Sequence, residues 1–326
     1  MNLTRISEFF VQAVMFGVPL LYGAVGEILT EKVGHLNLGI PGIMYVGGIS
    51  GIIGGYFWET YGNPNNTVMC ILCSLLSALA GSALMAFVYA FLTITLRANQ
   101  NVTGLVLTTF GLGLGSYLGS ALAGLLGTDT TISLNATSAA YKKLFWVDIK
   151  LFGSVFVSFG FLTLLAIVIA ITASFVLQKT RVGLNLRAVG ESPATADAAG
   201  INVIRYKYAG TVIGGAIAGL GGLYYVMDFI GGSWSNGGFD DRGWLAVALV
   251  IFAIWRPKLA IPGSILFGGL YILYSFIPNL PRSSQEIFKV FPYLVTIIVL
   301  ILTSVRKKKE NLPPASLGLP YFREDR

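Results

Sequence analysis

The chain has 326 residues, of which 55% are hydrophobic and only 11% are charged, and its net charge is +7. Its mean hydropathy is +0.74. Soluble domains carry about 25% charged residues, so this composition excludes an ordinary soluble protein and favours one whose surface faces lipid. The positive charge does not indicate binding to nucleic acid, because no basic stripe with interleaved aromatic residues is present.

Apolar stretches long enough to cross a bilayer recur along the whole chain. They predict an all-α, polytopic membrane helix bundle with about nine spans, and eight to ten are compatible with the pattern. The seventh stretch is too short to cross alone at about 1.5 Å per residue, so we expect it to begin in the preceding glycine-rich loop or to be part of a broken helix. The nine stretches are 8–29, 36–57, 68–96, 103–126, 151–177, 209–227, 243–255, 259–277 and 289–305.

The distribution of Lys and Arg predicts the orientation of the chain. The basic cluster Arg306–Lys309 follows the last apolar stretch, which places the C-terminus in the cytoplasm. Counting spans backward then puts 15 of the 22 basic residues on the cytoplasmic side. We therefore divide the chain into a transmembrane domain, residues 1–305, and a basic cytoplasmic tail, residues 306–326.

Glycines spaced four residues apart, such as Gly111, Gly115 and Gly119, indicate close packing between spans. Small residues let two backbones approach, and this packing is a main source of helix association in lipid. The alternative is that some of these glycines line a passage.

The longest predicted cytoplasmic loop, residues 178–208, contains the signals of a short helix. Ser192 suits an N-cap, Pro193 the first helical position and Gly200 the C-terminal stop, so we expect about two helical turns. A helix this short is marginal in water without a partner surface. Its small alanine-rich face favours docking into another protein; the alternative is packing on the cytoplasmic face of the same chain.

The segment Gly183–Ile201, which reads GLNLRAVGESP and ends in AAGI, resembles the coupling loop of ABC importer permeases. The resemblance is to the branch that includes branched-chain amino acid, simple sugar and nucleoside permeases. It implies a permease subunit in a bacterial-type inner membrane, with a cytoplasmic coupling helix. The residues that it implies in contact with an ATPase are Arg187, Gly190, Glu191, Pro193, Ala196, Ala199 and Gly200.

The same resemblance implies partners. Two such permeases, identical or paralogous, would form the membrane core, two ATPase subunits would bind the loop, and an external binding protein would deliver the solute. The chain has no G-x-x-x-x-G-K-[ST] motif, so ATP and Mg²⁺ would belong to the ATPase, and we expect neither enzyme activity nor a cofactor here. The outer loops 127–150 and 228–243 are candidates for docking the binding protein, or are solvated loops with aromatic anchors.

A second match to the family begins at the end of the first span. The segment Gly26–Lys32 is followed by Asn37-Leu38-Gly39 and then by Gly42 and Met44, similar to the family's acidic segment, Asn-x-Gly and glycine before methionine. Pro41 departs from this pattern, because many relatives carry an acidic residue there. With a weaker match at 97–104, the motifs imply pathway residues: Asn37, Gly39, Gly42, Met44, Asn101, Thr108 and Thr109. Polar residues of this kind more often form hydrogen bonds between helices than contacts with a solute, and that is the alternative for the polar ones.

Two other functions compete with the importer. A gradient-driven secondary transporter would need a buried Asp, Glu or His in a span; Glu27 is the nearest candidate, and its position indicates the membrane interface. An intramembrane enzyme would need a nucleophile with a base, or a metal site, which His35, Cys70 and Cys73 do not supply. Within the importer function, the resemblance of the segment Glu27–Met44 to the family implies the order of solutes as nucleoside, then simple sugar, then branched-chain amino acid.

Overall fold

The computed structural model describes residues 3–127, 132–144, 146–151, 155–239, 241–306 and 312–322. The helices are α1 (Leu3–Lys32), α2 (Ile40–Tyr61), α3 (Thr67–Ala90), α4 (Gln100–Leu125), α5 (Asn135–Leu144), α6 (Phe161–Lys179), α7 (Arg181–Glu191), α8 (Pro193–Ala198), α9 (Val203–Tyr224), α10 (Arg242–Phe252), α11 (Pro257–Ile272) and α12 (Arg282–Arg306). The strands are β1 (Ile132–Ser133), β2 (Trp146–Leu151), β3 (Val155–Gly160) and β4 (Ser233–Trp234). Short π-helical turns, Phe91–Thr95 and Tyr225–Phe229, extend α3 and α9, and a 3-10 turn, Leu273–Phe276, follows α11.

Eight helices in the described part of the chain are long and apolar enough to cross a membrane. They correspond to eight of the nine predicted spans and confirm the all-α membrane bundle. The remaining stretch, predicted over 243–255, forms α10, which has 11 residues. Such a helix is roughly 16 Å long, about half of the hydrocarbon thickness of a bilayer.

Helix α10 begins inside the bundle instead of at its edge. Gly243, in its first turn, packs against Pro41 at the start of α2. The residues before α10 enter the bundle from the end that lies away from the start of α2. There the Gly237 N–H donates a hydrogen bond of 3.1 Å to the Tyr45 hydroxyl. A re-entrant loop and a half-length helix therefore take the place of the seventh predicted span.

The predicted span 151–177 is wrong at its start. Val155–Gly160 forms strand β3, which pairs antiparallel with β2 from Trp146↔Gly160 to Leu151↔Val155. Helix α6 begins only at Phe161. Both strands are rich in β-branched and aromatic residues, which favour an extended backbone, and hydropathy does not separate such a strand from the apolar helix that follows it.

The basic segments that were predicted to share one side of the membrane meet at one end of the bundle. Lys32, Arg187 and Arg256 line one cavity there, and Arg97 and Lys207 line a second one. We call this end of the bundle the basic end.

Close glycine contacts hold the spans together. Gly111 of α4 packs on Gly42 of α2, and Gly214 of α9 packs on Gly26 of α1, with backbone against backbone in both cases. Helix α1 lies between α9, α10 and α11, while α2 and α3 also pack on α9. The prediction that spaced glycines serve helix packing is confirmed at Gly111, because any side chain there would collide with the neighbouring backbone.

Parts of two predictions lie outside the described residues. Asp129 and Asp240, in the outer loops that we expect to dock a binding protein, are among them. So are residues 307–311 and 323–326 of the basic tail.

Candidate coupling surface and re-entrant segment

Two short helices at the basic end form the segment that was predicted to couple transport to an ATPase. Thr180 caps α7, since its hydroxyl accepts a hydrogen bond from the Gly183 N–H at 3.1 Å. Ser192 caps α8 in the same way, and Gly200, at φ +82°, ends the turn after it. The predicted helix is confirmed over Pro193–Ala198, whereas α7 was not predicted as a separate element.

The predicted ATPase contacts divide into exposed and buried residues. Arg187, Glu191, Ala199 and Gly200 are exposed, and Pro193 is half-buried.

Gly190 and Ala196 are buried in this structure, unlike the other predicted contact residues, and their contact with an ATPase stays a prediction. Ala196 is 3% exposed and packs with Val189 and Val203, while Gly190 packs against the backbone of Lys32. Ala196 faces inward because a helix as short as α8 needs its own chain as a packing surface to stay folded.

Residues 312–322 lie across this segment at the basic end. The Ser316 N–H donates to the Gly190 carbonyl at 3.1 Å, and the Ser316 hydroxyl donates to the same oxygen at 2.5 Å. The Tyr321 hydroxyl donates to Asp197 Oδ2 at 2.9 Å. The tail therefore fastens both α7 and α8, which the sequence alone did not predict.

Between α1 and α2 the chain turns back into the bundle without helical hydrogen bonds. Residues 36–39, which we call the re-entrant segment, are not helical, and α2 begins at Ile40. Glu27 Oε1 accepts a hydrogen bond from the Asn37 N–H at 2.9 Å, and Glu27 lies roughly 7 Å inside the end of α1. Backbone polar groups at such a depth must find partners within the protein.

Side chains from α3 and α4 supply those partners. The Leu36 N–H donates to Gln100 Oε1 at 2.8 Å, and the Leu36 carbonyl accepts from the Tyr89 hydroxyl at 2.6 Å. The Leu38 carbonyl accepts from the Thr108 hydroxyl at 2.7 Å. A short non-helical backbone is thereby tolerated inside the bundle.

Two acidic residues of α1 are buried beside this segment. Glu27 is 0% exposed and Glu31 is 3% exposed. Glu27 accepts from the backbone of Asn37, and Glu31 accepts from the indole N–H of Trp255. Glu27 was predicted to lie at the membrane interface, and that depth stays a prediction; the structure shows that its side chain is buried in the protein and bonded to the re-entrant segment.

The predicted pathway residues fall in three places. Four are buried together where the re-entrant segment meets α4: Asn37, Gly39, Gly42 and Thr108. Met44 is buried elsewhere on α2, against Gly23 and Gly221. Asn101 and Thr109 are exposed on α4. In this conformation five of the seven residues are buried in contacts between helices, and the expectation that the seven line a passage stays a prediction.

Sequence reasoning missed Tyr89, Gln100 and Trp255, although each pairs a buried polar group. Their partners lie 53, 64 and 224 residues away in the chain. The available signal was a polar side chain at the end of an apolar stretch, close to a predicted turn of the basic end. That signal identifies one partner of a hydrogen bond but not the other.

His35, the one histidine of the chain, follows α1 and is 1% exposed. Burial, and then the positive charge of Lys207, lower the pKa of His35 well below its ordinary value. The unfolded chain would bind a proton at a pKa of about 6.5, so His35 reduces folding stability as the pH falls below that value. We expect the imidazole to stay neutral at about pH 6, as seen by NMR of ¹⁵N-labelled histidine. A ring that is half-protonated near pH 6.5 would contradict this burial.

Comparison with known proteins places the chain in a family. A family model described as branched-chain amino acid transport system / permease component matches residues 9–300. The nucleoside ABC transporter permease protein NupC of Lactococcus lactis subsp. cremoris is 33% identical over 93% of this chain and 94% of its own. The guanosine ABC transporter permease protein NupQ of Bacillus subtilis is 30% identical over 100% of both chains. TsgC13 of Haloferax volcanii, which is named for glucose transport, is 33% identical over 94% of each.

These similarities extend over the whole bundle, including the re-entrant segment and the helices α7 and α8. The relatives that share them are transport components and not enzymes. The eight long apolar helices agree with a multi-pass membrane protein. The chain therefore belongs to the family of branched-chain amino acid transport system permease components, and it is the membrane-spanning permease of an ABC importer.

Proposed function

We propose that this permease imports a nucleoside and is driven by ATP that separate ATPase subunits hydrolyse while docked on α7 and α8. The observation that carries the proposal is the exposed face of these two helices. Small side chains on it allow close approach, and two charged groups offer pairing across an interface. The face consists of Arg187, Glu191, Ala194, Thr195, Ala198, Ala199 and Gly200.

The buried side of the same helices supports a role in coupling. Ala196 packs with Val189 and Val203, and the tail fastens Gly190 and Asp197. A movement imposed on the exposed face would therefore reach α6 and α9, which flank the segment. Nucleotide binding would bias the whole bundle between two arrangements in this way.

The basic end would face the cytoplasm. Basic residues are enriched on the cytoplasmic side of membrane proteins, and the described part of the C-terminal tail lies at this end, bonded to Asp197. This orientation puts the docking face and the C-terminus in the cytoplasm. The β2–β3 ribbon would lie outside, where a binding protein delivers the solute.

We assign the exposed face of α4 to contact with a second permease, identical or paralogous. Tyr117 is 70% exposed and Val106 is 62% exposed on this helix. Asn101, Thr109 and Ser120 are exposed polar residues among them. Polar side chains are unfavourable in contact with lipid. In a passage between two permeases, these side chains would instead contact water or the solute. Asn101 and Thr109 would then touch the solute.

The names of the relatives support a nucleoside as the solute. NupC is named for nucleosides and NupQ for guanosine, and both align over nearly the whole chain. The name of TsgC13 supports a simple sugar as an alternative solute, and the family description supports a branched-chain amino acid.

The substitution Ala199→Arg tests the docking face. We expect the variant to insert and fold, because Ala199 is exposed, but to weaken ATPase binding at least about tenfold, since a long charged side chain would separate the two surfaces. Binding is measured on the detergent-solubilised permease with its ATPase, and solute-stimulated hydrolysis in liposomes.

Two controls accompany this variant. Ala199→Ser changes the residue with little added bulk, and Lys258→Ala changes an exposed residue in the first turn of α11; both should behave as the unaltered chain. Ala196→Arg would not serve, because it would disrupt the permease's own packing. Normal assembly and uptake by Ala199→Arg would refute docking at this face.

Solute choice and energy source are tested in the same liposomes. With ATPase and binding-protein partners present, we expect guanosine to stimulate ATP hydrolysis and uptake more than glucose or leucine. Uptake that persists after ATP is exhausted, and stops when ion gradients are dissipated, would instead favour a gradient-driven transporter.

A further inference from the structure

A polar cavity of about 340 Å³ lies behind α8 at the basic end. Its walls come from the end of α8, the first turn of α9, the π-helical turn after α3 and the tail. No step of the transport mechanism above uses it. The groups that give it its chemistry are His35, Arg97, Asp197, Asn202, Lys207 and Tyr321.

Lys207 is the most unusual of these groups. It is 2% exposed, yet within the described residues its ammonium group forms no ion pair of 4.0 Å or less. Its described contact is the ring of Tyr321, whose centroid lies 5.9 Å from Nζ. A buried ammonium is costly unless an anion compensates it, so a bound anion would account for this lysine.

Two further nitrogen groups of the cavity are available to an anion. His35 Nε2 is buried and has no hydrogen-bond partner among the described residues. Arg97 stacks on Phe322, with Cζ 4.5 Å from the ring centroid. It is held at φ +56°, an uncommon backbone conformation for a residue other than glycine. Stacking occupies the face of a guanidinium and leaves its N–H donors at the edge.

The remaining wall carries one negative charge, against the two positive charges of Lys207 and Arg97. This charge belongs to Asp197, which accepts a hydrogen bond from the Tyr321 hydroxyl at 2.9 Å. Val203 and Ile204, in the first turn of α9, line the cavity as well. The N-terminus of a helix favours negative charge, because its first N–H groups lack partners within the helix.

We propose that this cavity binds an oxyanion of the phosphate class through Lys207, Arg97 and the imidazole of His35. Ammonium and guanidinium groups are strong donors to phosphate oxygens, and a neutral imidazole can donate through one N–H. The cavity is larger than one phosphate group. It can therefore hold either free inorganic phosphate or the phosphate of a lipid headgroup. An occupied site would also hold the end of α8 against the bundle, because Gly200 lines the cavity; this consequence rests on the proposed coupling role, whereas the binding itself does not.

Binding is tested on the purified full-length chain in phosphate-free buffer. We expect inorganic phosphate, and not chloride at equal ionic strength, to raise Tm with saturation and to shift the ¹⁵N signal of His35. Lys207→Met and Arg97→Gln should each weaken the apparent affinity about tenfold or more. Arg205→Gln is the matched control, because Arg205 is exposed on the same helix and does not line the cavity. If Lys207→Met fails to fold, Arg97→Gln still decides, because Arg97 is exposed.

Nanodiscs distinguish the two sources of phosphate. A Tm response to phosphatidic acid in phosphatidylcholine nanodiscs, absent with inorganic phosphate and lost in Arg97→Gln, would support the site with a lipid as its ligand. No response to either probe would overturn the proposal. Weaker ATPase binding by both variants, without a response to either anion, would also overturn the proposal. The cavity would then receive a carboxylate of a protein partner. These outcomes leave the Ala199→Arg test unaffected.

Discussion

Replacing Glu27 by alanine is expected to lower the free energy of unfolding by about 1–3 kcal/mol and to remove measurable uptake. The carboxylate accepts the Asn37 N–H at 2.9 Å and is 0% exposed. Alanine would leave that N–H buried without an acceptor, close to the start of α2. Unfolding is followed in detergent by heat or denaturant, and uptake is measured in liposomes with the ATPase and binding protein.

Glu27→Gln is the matched control, because the glutamine carbonyl can accept the same hydrogen bond. We expect it to retain uptake and to stay within about 1 kcal/mol of the unaltered stability. A Glu27→Gln variant that is stable but inactive would show that transport requires the negative charge itself. That result would count against a purely structural carboxylate and in favour of gradient-driven transport.

Gly111→Ala is expected to separate α4 from α2 and to cost about 1–3 kcal/mol of stability. A Cβ at this position would lie 2.7 Å from Gly42 Cα and 2.8 Å from the Gly42 carbonyl oxygen. Neither atom belongs to a flexible side chain, so the two backbones must move apart. Because α4 carries the face that we assign to a second permease, we also expect weaker assembly. Both effects are measured by Tm and by size-exclusion chromatography.

The same substitution two residues later on α4 serves as its control. A Cβ at Gly113 would meet nothing within 4 Å, and alanine is favoured over glycine in a helix by up to about 1 kcal/mol. Gly113→Ala should therefore leave Tm unchanged or slightly raised. It is a control for stability alone, because Gly113 lies on the exposed side of α4 that we assign to the second permease. Equal losses from both substitutions would mean that the effect comes from the helix itself and not from its contact with α2.

Local chemistry was sufficient to predict the spans and the coupling helix. A span is recognised from the length and apolarity of one stretch, and eight of the predicted stretches became long helices. The helix after Ser192 was predictable because its cap, its first-turn proline and its terminal glycine act within a few residues of one another. The resemblance to importer permeases rested on segments of this kind.

The accessible face of the coupling helix was decided by tertiary contacts. Ala196 and Ala199 are both small residues at one end of a short helix, and the sequence does not distinguish their roles. Ala196 is buried because Val189 and Val203 meet over it, and Ala199 remains exposed. Gly190 is buried in the same way, under a tail more than one hundred residues further along the chain.

The re-entrant segment shows most clearly the physical limit of predicting this structure from its sequence. Hydropathy describes the transfer of side chains into lipid, so apolar residues such as Leu36 and Leu38 were predicted to belong to a helix. Whether a backbone inside the bundle can leave the helical state depends on partners for its N–H and C=O groups. Those partners come from Glu27, Tyr89 and Thr108, on three different helices. Composition and local signals therefore determined that the chain spans the membrane and where its coupling helix lies, while long-range hydrogen bonds and packing decided where the backbone breaks and which residues a partner can reach.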